Sequence, residues 1–153
     1  LKDAYRSLES EVLLLIVGTI ALGVAMQKTG ATKLYADAFL SLFDGKSPNT
    51  VLLGVIILSS ICTHILSNNA TAVLLLPIAV TTATSLGADP RPFIIGICFG
   101  ASACFATPIG YQTNLLVYGP GRYRFSDYIK LGMPLNIIVI VLSALLIPVF
   151  WPF

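Results

Sequence analysis

The 153-residue chain carries charge on only 10% of its residues, is 56% hydrophobic and has a mean hydropathy of +0.89. A soluble domain holds about 25% charged residues and must still present polar groups to water, so this composition excludes an ordinary soluble domain and points to a bilayer as solvent. The net charge of +2 is too small to call for nucleic acid or an acidic partner.

Leu1–Ser10 is polar and lacks the basic-then-apolar order of a signal peptide. Leu1 stands where an initiator Met would, so the chain reads as part of a longer protein. Glu11–Met26 is an apolar run, expected to span the membrane as a helix over 11–27, near the lower length limit. Gly18, Ala21, Gly23 and Ala25 give it small residues for close helix packing. In Ala31–Asp44, the apolar Leu34, Tyr35, Ala38, Phe39, Leu42 and Phe43 oppose Lys33, Asp37, Ser41 and Asp44. That pattern predicts an amphipathic helix lying flat in the interface over 31–44, ended by Gly45. Ser47-Pro48 then supplies an N-cap and a first helical position.

Two apolar arms, Val51–Leu66 and Ala70–Leu86, flank Ser67-Asn68-Asn69, with no charge and no glycine between them. A re-entrant helical hairpin over 48–86, its polar tip inside the membrane, fits better than two spans joined by an exposed loop. Bare backbone at that depth survives only where protein buries it or where it lines a cavity. Asp89-Pro90-Arg91-Pro92 opens a further helix, whose apolar part Phe93–Phe105 carries the small residues Gly96, Gly100 and Cys104. Ala106–Asn114, with Pro108 and Gly110 among hydroxyl and amide residues, should unwind it. Leu115–Tyr118 resumes before Gly119-Pro120-Gly121, giving a broken transmembrane helix over 90–119. Arg122, Arg124, Asp127 and Lys130 mark a polar loop. The final span covers 132–151, with Trp151-Pro152-Phe153 as an aromatic interfacial anchor. Lys2, Arg6, Arg122, Arg124 and Lys130 narrowly outnumber Lys28, Lys33, Lys46 and Arg91 on the other face, which sets the C-terminus outside.

The chemistry lies in Thr63–Thr71 and Ala106–Asn114, both rich in Ser, Thr and Asn and poor in charge. Neutral oxygens suit a hard monovalent cation, and N–H or O–H donors suit an anion. Broken helices offer both, through free N-termini and unwound carbonyls. Either interruption alone reads as a packing hydrogen bond or a kink; two in consecutive elements read as a transport site. His64 is a candidate proton relay or, more simply, a neutral imidazole bonded to backbone. Between Lys46 and Ala88 the chain holds no Asp or Glu. Cys62, Cys98 and Cys104 sit in apolar stretches without metal-ligand spacing and read as small buried residues. No nucleophile–base pair and no phosphate loop is visible, so an enzyme is not expected.

Ser67-Asn68-Asn69-Ala70-Thr71 and the stretch Ala106-Thr107-Pro108-Ile109-Gly110-Tyr111-Gln112-Thr113-Asn114 through Gly121 resemble the divalent-anion/sodium symporter family. These are sodium–sulfate and sodium–carboxylate permeases within the citrate-carrier-like ion transporter superfamily. The likeness extends from Glu11–Gly18 to Leu131–Asn136 and is greatest to microbial permeases with TrkA-C type regulatory domains. It implies an all-α membrane protein and, for this chain, the C-terminal inverted repeat with its re-entrant hairpin and discontinuous helix. It also implies a multi-pass cell-membrane symporter of elevator type, partnered by its N-terminal repeat, a second copy in a homodimer, and membrane lipids. By resemblance, Na⁺ is the coupling ion, with no other cofactor or metal. Its ligands would come from Thr63, Leu66, Ser67, Asn68 and Ala106, and Asn68, Asn69, Thr107 and Pro108 would meet the anion. The family's tip is usually Ser-Asn-Thr, and its dicarboxylate members carry Thr-Pro-Pro-Asn-Ala in the break. Asn69 and Thr107-Pro108-Ile109-Gly110-Tyr111 depart from both, leaving sulfate and a di- or tricarboxylate equally open. The rival readings are a sodium/proton or oxyanion antiporter, a non-transporting anion sensor on the same fold, and a membrane protein acting only through helix packing.

Overall fold

A computed structural model describes residues 10–43 and 47–153. The polar residues 1–9 and Asp44–Lys46 lie outside the described residues, including Gly45 as helix stop and Lys2, Arg6 and Lys46 of the charge count. Among the described residues the regular secondary structure is all helix: α1 (Ser10–Thr29), α2 (Ala31–Ser41), α3 (Pro48–Thr63), α4 (Asn68–Ser85), α5 (Pro90–Ser102), α6 (Gln112–Tyr118) and α7 (Phe125–Phe150).

The helix starts follow from local chemistry. Pro48 and Pro90 occupy first-turn positions, where a missing N–H costs nothing. Ser67 caps α4, its Oγ accepting from Ala70 N–H at 3.2 Å. Asp89 caps α5, its Oδ1 accepting from Arg91 N–H at 2.8 Å. The α7 helix begins at Phe125, inside the stretch whose charges read as a loop. Asp127 explains the early start, because its Oδ2 accepts from Arg124 N–H at 2.8 Å and also favours the positive helix end.

One core joins four helices. Val51, Leu52, Val55 and Ile56 of α3 pack against Leu75, Ala79 and Ala83 of α4 and Phe93 and Ile97 of α5, with Ile147 of α7 closing one side. Phe39, Leu40 and Phe43 bring the α2 segment against the same core. The α2 helix docks through a face containing buried Thr32 and Ala36, so Leu34, Tyr35 and Leu42 remain outside. The apolar stripe read from spacing is therefore divided between core and exterior.

One described helix, Phe125–Phe150, is long and apolar enough to cross a membrane, with a mean hydropathy of 2.5. Only 17% of an 18-residue apolar stretch within it is buried, and Leu131, Leu135, Ile138, Leu142, Leu145 and Val149 of the helix are exposed.

Candidate functional site

The turn between α3 and α4 and the break between α5 and α6 meet. The α5 helix stops at Ser102, since Ala103 has left helical geometry (ψ 72°), and the unwound stretch runs to Tyr111. It opens three residues before Ala106. Carbonyls released there are taken by side chains from α3. Ser60 Oγ donates to the Ala103 carbonyl at 3.0 Å, and Thr63 Oγ1 donates to the Ala101 carbonyl at 2.8 Å. Cys104 Sγ donates back to the Thr63 carbonyl at 3.3 Å.

Asn68 sits at the centre. Thr63 has a single hydroxyl proton, already given to Ala101, so the Asn68 amide atom 2.7 Å from Thr63 Oγ1 must itself be a donor. With Nδ2 inward, Asn68 also reaches the carbonyls of Ala101 at 3.2 Å and Gly110 at 3.3 Å. Three uncharged oxygens, from α3, the end of α5 and the break, therefore converge on one amide.

Gly110 makes this approach possible. A Cβ there would fall on Cys104 Sγ and lie 2.8 Å from the Thr63 carbonyl. It would also stand 3.3 Å from Thr107 Oγ1, a buried hydroxyl without a hydrogen-bond partner. Thr107 and Asn68 thus both lie next to Gly110. Ala106 and Pro108 are buried beside them, whereas Leu66, Ser67 and Asn69 are exposed at the turn.

Backbone groups remain open. Ser67 takes the Ala70 N–H with its side chain and the Thr71 N–H with its carbonyl. Among the described residues, the N–H groups of Asn68 and Asn69 and the carbonyls of Leu66 and Ala106 have no protein partner. Helix-start donors favour an anion, and unpaired carbonyls favour a cation. No cluster of His, Cys, Asp and Glu able to hold a metal occurs among the described residues.

Residues outside the expected ligand set also brace the site, among them Asn114 of the predicted polar stretch and Tyr128 and Asn136, which the sequence did not single out. Asn114 Nδ2 donates to the carbonyls of Cys104 at 2.9 Å and Thr107 at 3.2 Å, holding the loop closed. Tyr128 Oη donates to the Asn114 carbonyl at 2.8 Å and ties the loop to α7. Asn136 Oδ1 accepts from Phe105 N–H at 3.1 Å, and its Nδ2 lies 3.0 Å from His64 Nε2. A lone amide in the apolar Pro134–Phe150 run was the available signal for Asn136. The Ala101 and Gly110 contributions are backbone carbonyls, which leave no side-chain signature.

The citrate transporter family model matches residues 1–153. An uncharacterized transporter of Escherichia coli is 40% identical over 99% of this chain and 25% of its own length. The sodium/sulfate cotransporter 1 of Chlamydomonas reinhardtii is 28% identical over 90% of this chain and 16% of its own length. A sodium-dependent dicarboxylate transporter of Staphylococcus saprophyticus is 28% identical over 95% of this chain and 28% of its own length. The chain thus spans about a quarter of the length of the first of these relatives. The chain, whose helical turn and unwound stretch meet in an uncharged, oxygen-lined junction, is matched from end to end and belongs to the citrate transporter family.

Proposed function

We propose that this chain is the C-terminal inverted repeat of a multi-pass cell-membrane permease that couples Na⁺ to the uptake of a small divalent anion. The observation that carries the reading is the convergence of Thr63 Oγ1, Ala101 O and Gly110 O on Asn68, with open carbonyls at Leu66 and Ala106 nearby. In this reading Na⁺ is held by Thr63, Leu66, Ser67, Asn68 and Ala106. The Asn68 amide turns to present Oδ1 when the cation enters. The anion then binds on Asn68, Asn69, Thr107 and Pro108, using the open N–H groups at the start of α4.

Electrostatics supply the coupling. Neutral donors alone hold a dianion weakly in a low-dielectric site. Unit charges about 4 Å apart attract by about 4 kcal/mol at an effective dielectric near 20, so a bound Na⁺ provides the missing affinity. Helix lengths support a re-entrant hairpin: α3, at 16 residues, reaches roughly 24 Å, short of a hydrocarbon core of about 30 Å. The exposed apolar face of α7 supports burial in lipid or against the remaining permease, including the N-terminal repeat. The relatives' names support sodium coupling and a sulfate or carboxylate cargo. The hairpin and broken helix would move together past a scaffold, as an elevator, within a homodimer. No step of catalysis is required.

Asn68→Ala in the full-length permease tests the reading. Proteoliposomes with an inward sodium gradient should lose uptake of both sulfate and dicarboxylates. Uptake at the wild-type rate would remove the assignment, and anion binding without flux in the wild type would turn the reading to a sensor.

A further inference from the structure

We propose that Asn136 is a positioning residue that sets the width of the cation site from outside it; this rests on the sodium reading above. The amide is 4% exposed and projects from α7 toward both halves of the junction. On one side it holds Phe105, whose neighbour Ala106 offers an open carbonyl. On the other it holds His64, which directly follows Thr63.

The direction of every bond in this relay is forced by its ends. The Phe105 backbone N–H can only donate, so Asn136 Oδ1 faces it, at 3.1 Å. Asn136 Nδ2 then faces His64 Nε2, at 3.0 Å, and the imidazole must accept there. The proton therefore sits on Nδ1, which donates to the Ser60 carbonyl one turn earlier in α3. A carbonyl can only accept, so the relay closes without conflict. His64 is in this way fixed as a spacer between α3 and α7, with no proton on Nε2.

Close backbone packing lets the relay reach. Gly132, one turn before Asn136, faces the Phe105–Ala106 peptide so closely that a Cβ would meet Ala106 N at 2.6 Å. The α7 helix thereby grips the unwound chain at Gly132 and Asn136 and the hairpin turn at His64. Because partners behind a ligand orient it, losing one typically lowers cation affinity by roughly ten- to a hundredfold.

The experiment uses the full-length permease in proteoliposomes, with NaCl titrated at fixed sulfate or succinate. Asn136→Leu keeps the branched heavy-atom skeleton and deletes both bonds. Sodium half-saturation should rise roughly tenfold or more, while the anion KM at saturating sodium stays at the wild-type value. A fall in maximal rate with sodium half-saturation unchanged would mean a purely structural role and overturn the proposal. If Asn136→Leu does not fold, Asn136→Asp decides: its carboxylate still takes Phe105 N–H but now needs a donor from His64. The ¹⁵N spectrum of histidine-labelled protein, assigned with His64→Gln, should then show the proton on Nε2. An unchanged His64 spectrum would overturn the relay. Asn68→Ala, run in parallel, separates the two levels. If it retains sodium-dependent uptake, the sodium reading itself falls; if it is inactive while Asn136→Leu keeps wild-type half-saturation, only the role of Asn136 falls.

Discussion

In the proposed sodium reading, the Asn68 side chain serves two states of the site. Its amide nitrogen offers two protons to three oxygens, Thr63 Oγ1 and the carbonyls of Ala101 and Gly110, of which Ala101 also accepts from the Thr63 hydroxyl. Turning the amide exchanges that donor for an oxygen, which is what a hard cation needs. Gly110 is the residue that cannot change. Gly110→Ala should weaken sodium binding and destabilise the protein by about 1–3 kcal/mol, as overpacking does. Adding Cys104→Ala to that variant should restore only part of the loss. It removes the clash with Sγ but leaves the new methyl 2.8 Å from the Thr63 carbonyl. Thermal unfolding in detergent and sodium titration check both variants; full recovery in the double mutant would mean that the thiol alone sets the space.

At the scale of elements, the break is held because four of its carbonyls are paired. Ser60 and Thr63 of α3 take those of Ala103 and Ala101, and Asn114 takes those of Cys104 and Thr107. The loop is held in place from three directions while the carbonyls of Ala106 and Leu66 stay open. The α7 helix contributes through Gly132, whose hydrogen leaves room for the Phe105–Ala106 peptide. Gly132→Ala would press a methyl against backbone, which no rotamer change relieves. The expected outcome is a loss of about 1–3 kcal/mol with weakened sodium binding, read by unfolding and by sodium half-saturation. A variant with wild-type stability and affinity would show that α7 shifts freely on the break.

On the scale of the whole molecule, the distribution of apolar surface dominates. Val149 is 71% exposed and Leu145 65% exposed, on the helix with the highest hydropathy. Such a surface needs lipid or further protein against it. Leu145→Arg should disfavour membrane insertion of this segment by about 3–4 kcal/mol if it lies near the bilayer centre. A glycosylation-mapped insertion assay reports the effect, and unaltered insertion would argue against a spanning α7.

Composition, helical periodicity and capping signals made much of the architecture legible. Ser47-Pro48 and Asp89-Pro90 mark helix starts because Pro and short polar side chains act within one turn of themselves. The polar turn at Ser67-Asn68-Asn69 and the Pro-Gly break stood out because polar groups in an apolar run have few local uses. Local pattern failed where distant chain decides. Charges at 122–130 read as loop, yet Asp127 caps a helix, and the apolar stripe of α2 divided once a core chose one side of it.

The sequence by itself therefore determined that the chain is helical, apolar outside, and interrupted twice by uncharged hydrogen-bonding groups. Each of those properties is written in neighbouring residues. Tertiary structure alone decided that the interruptions face each other, that Ala101 and Gly110 lend their carbonyls, and that Asn136 reaches both halves through Phe105 and His64. Backbone carbonyls are the same in every residue, and contacts across 38 or 72 positions depend on how helices pack, which no local pattern encodes.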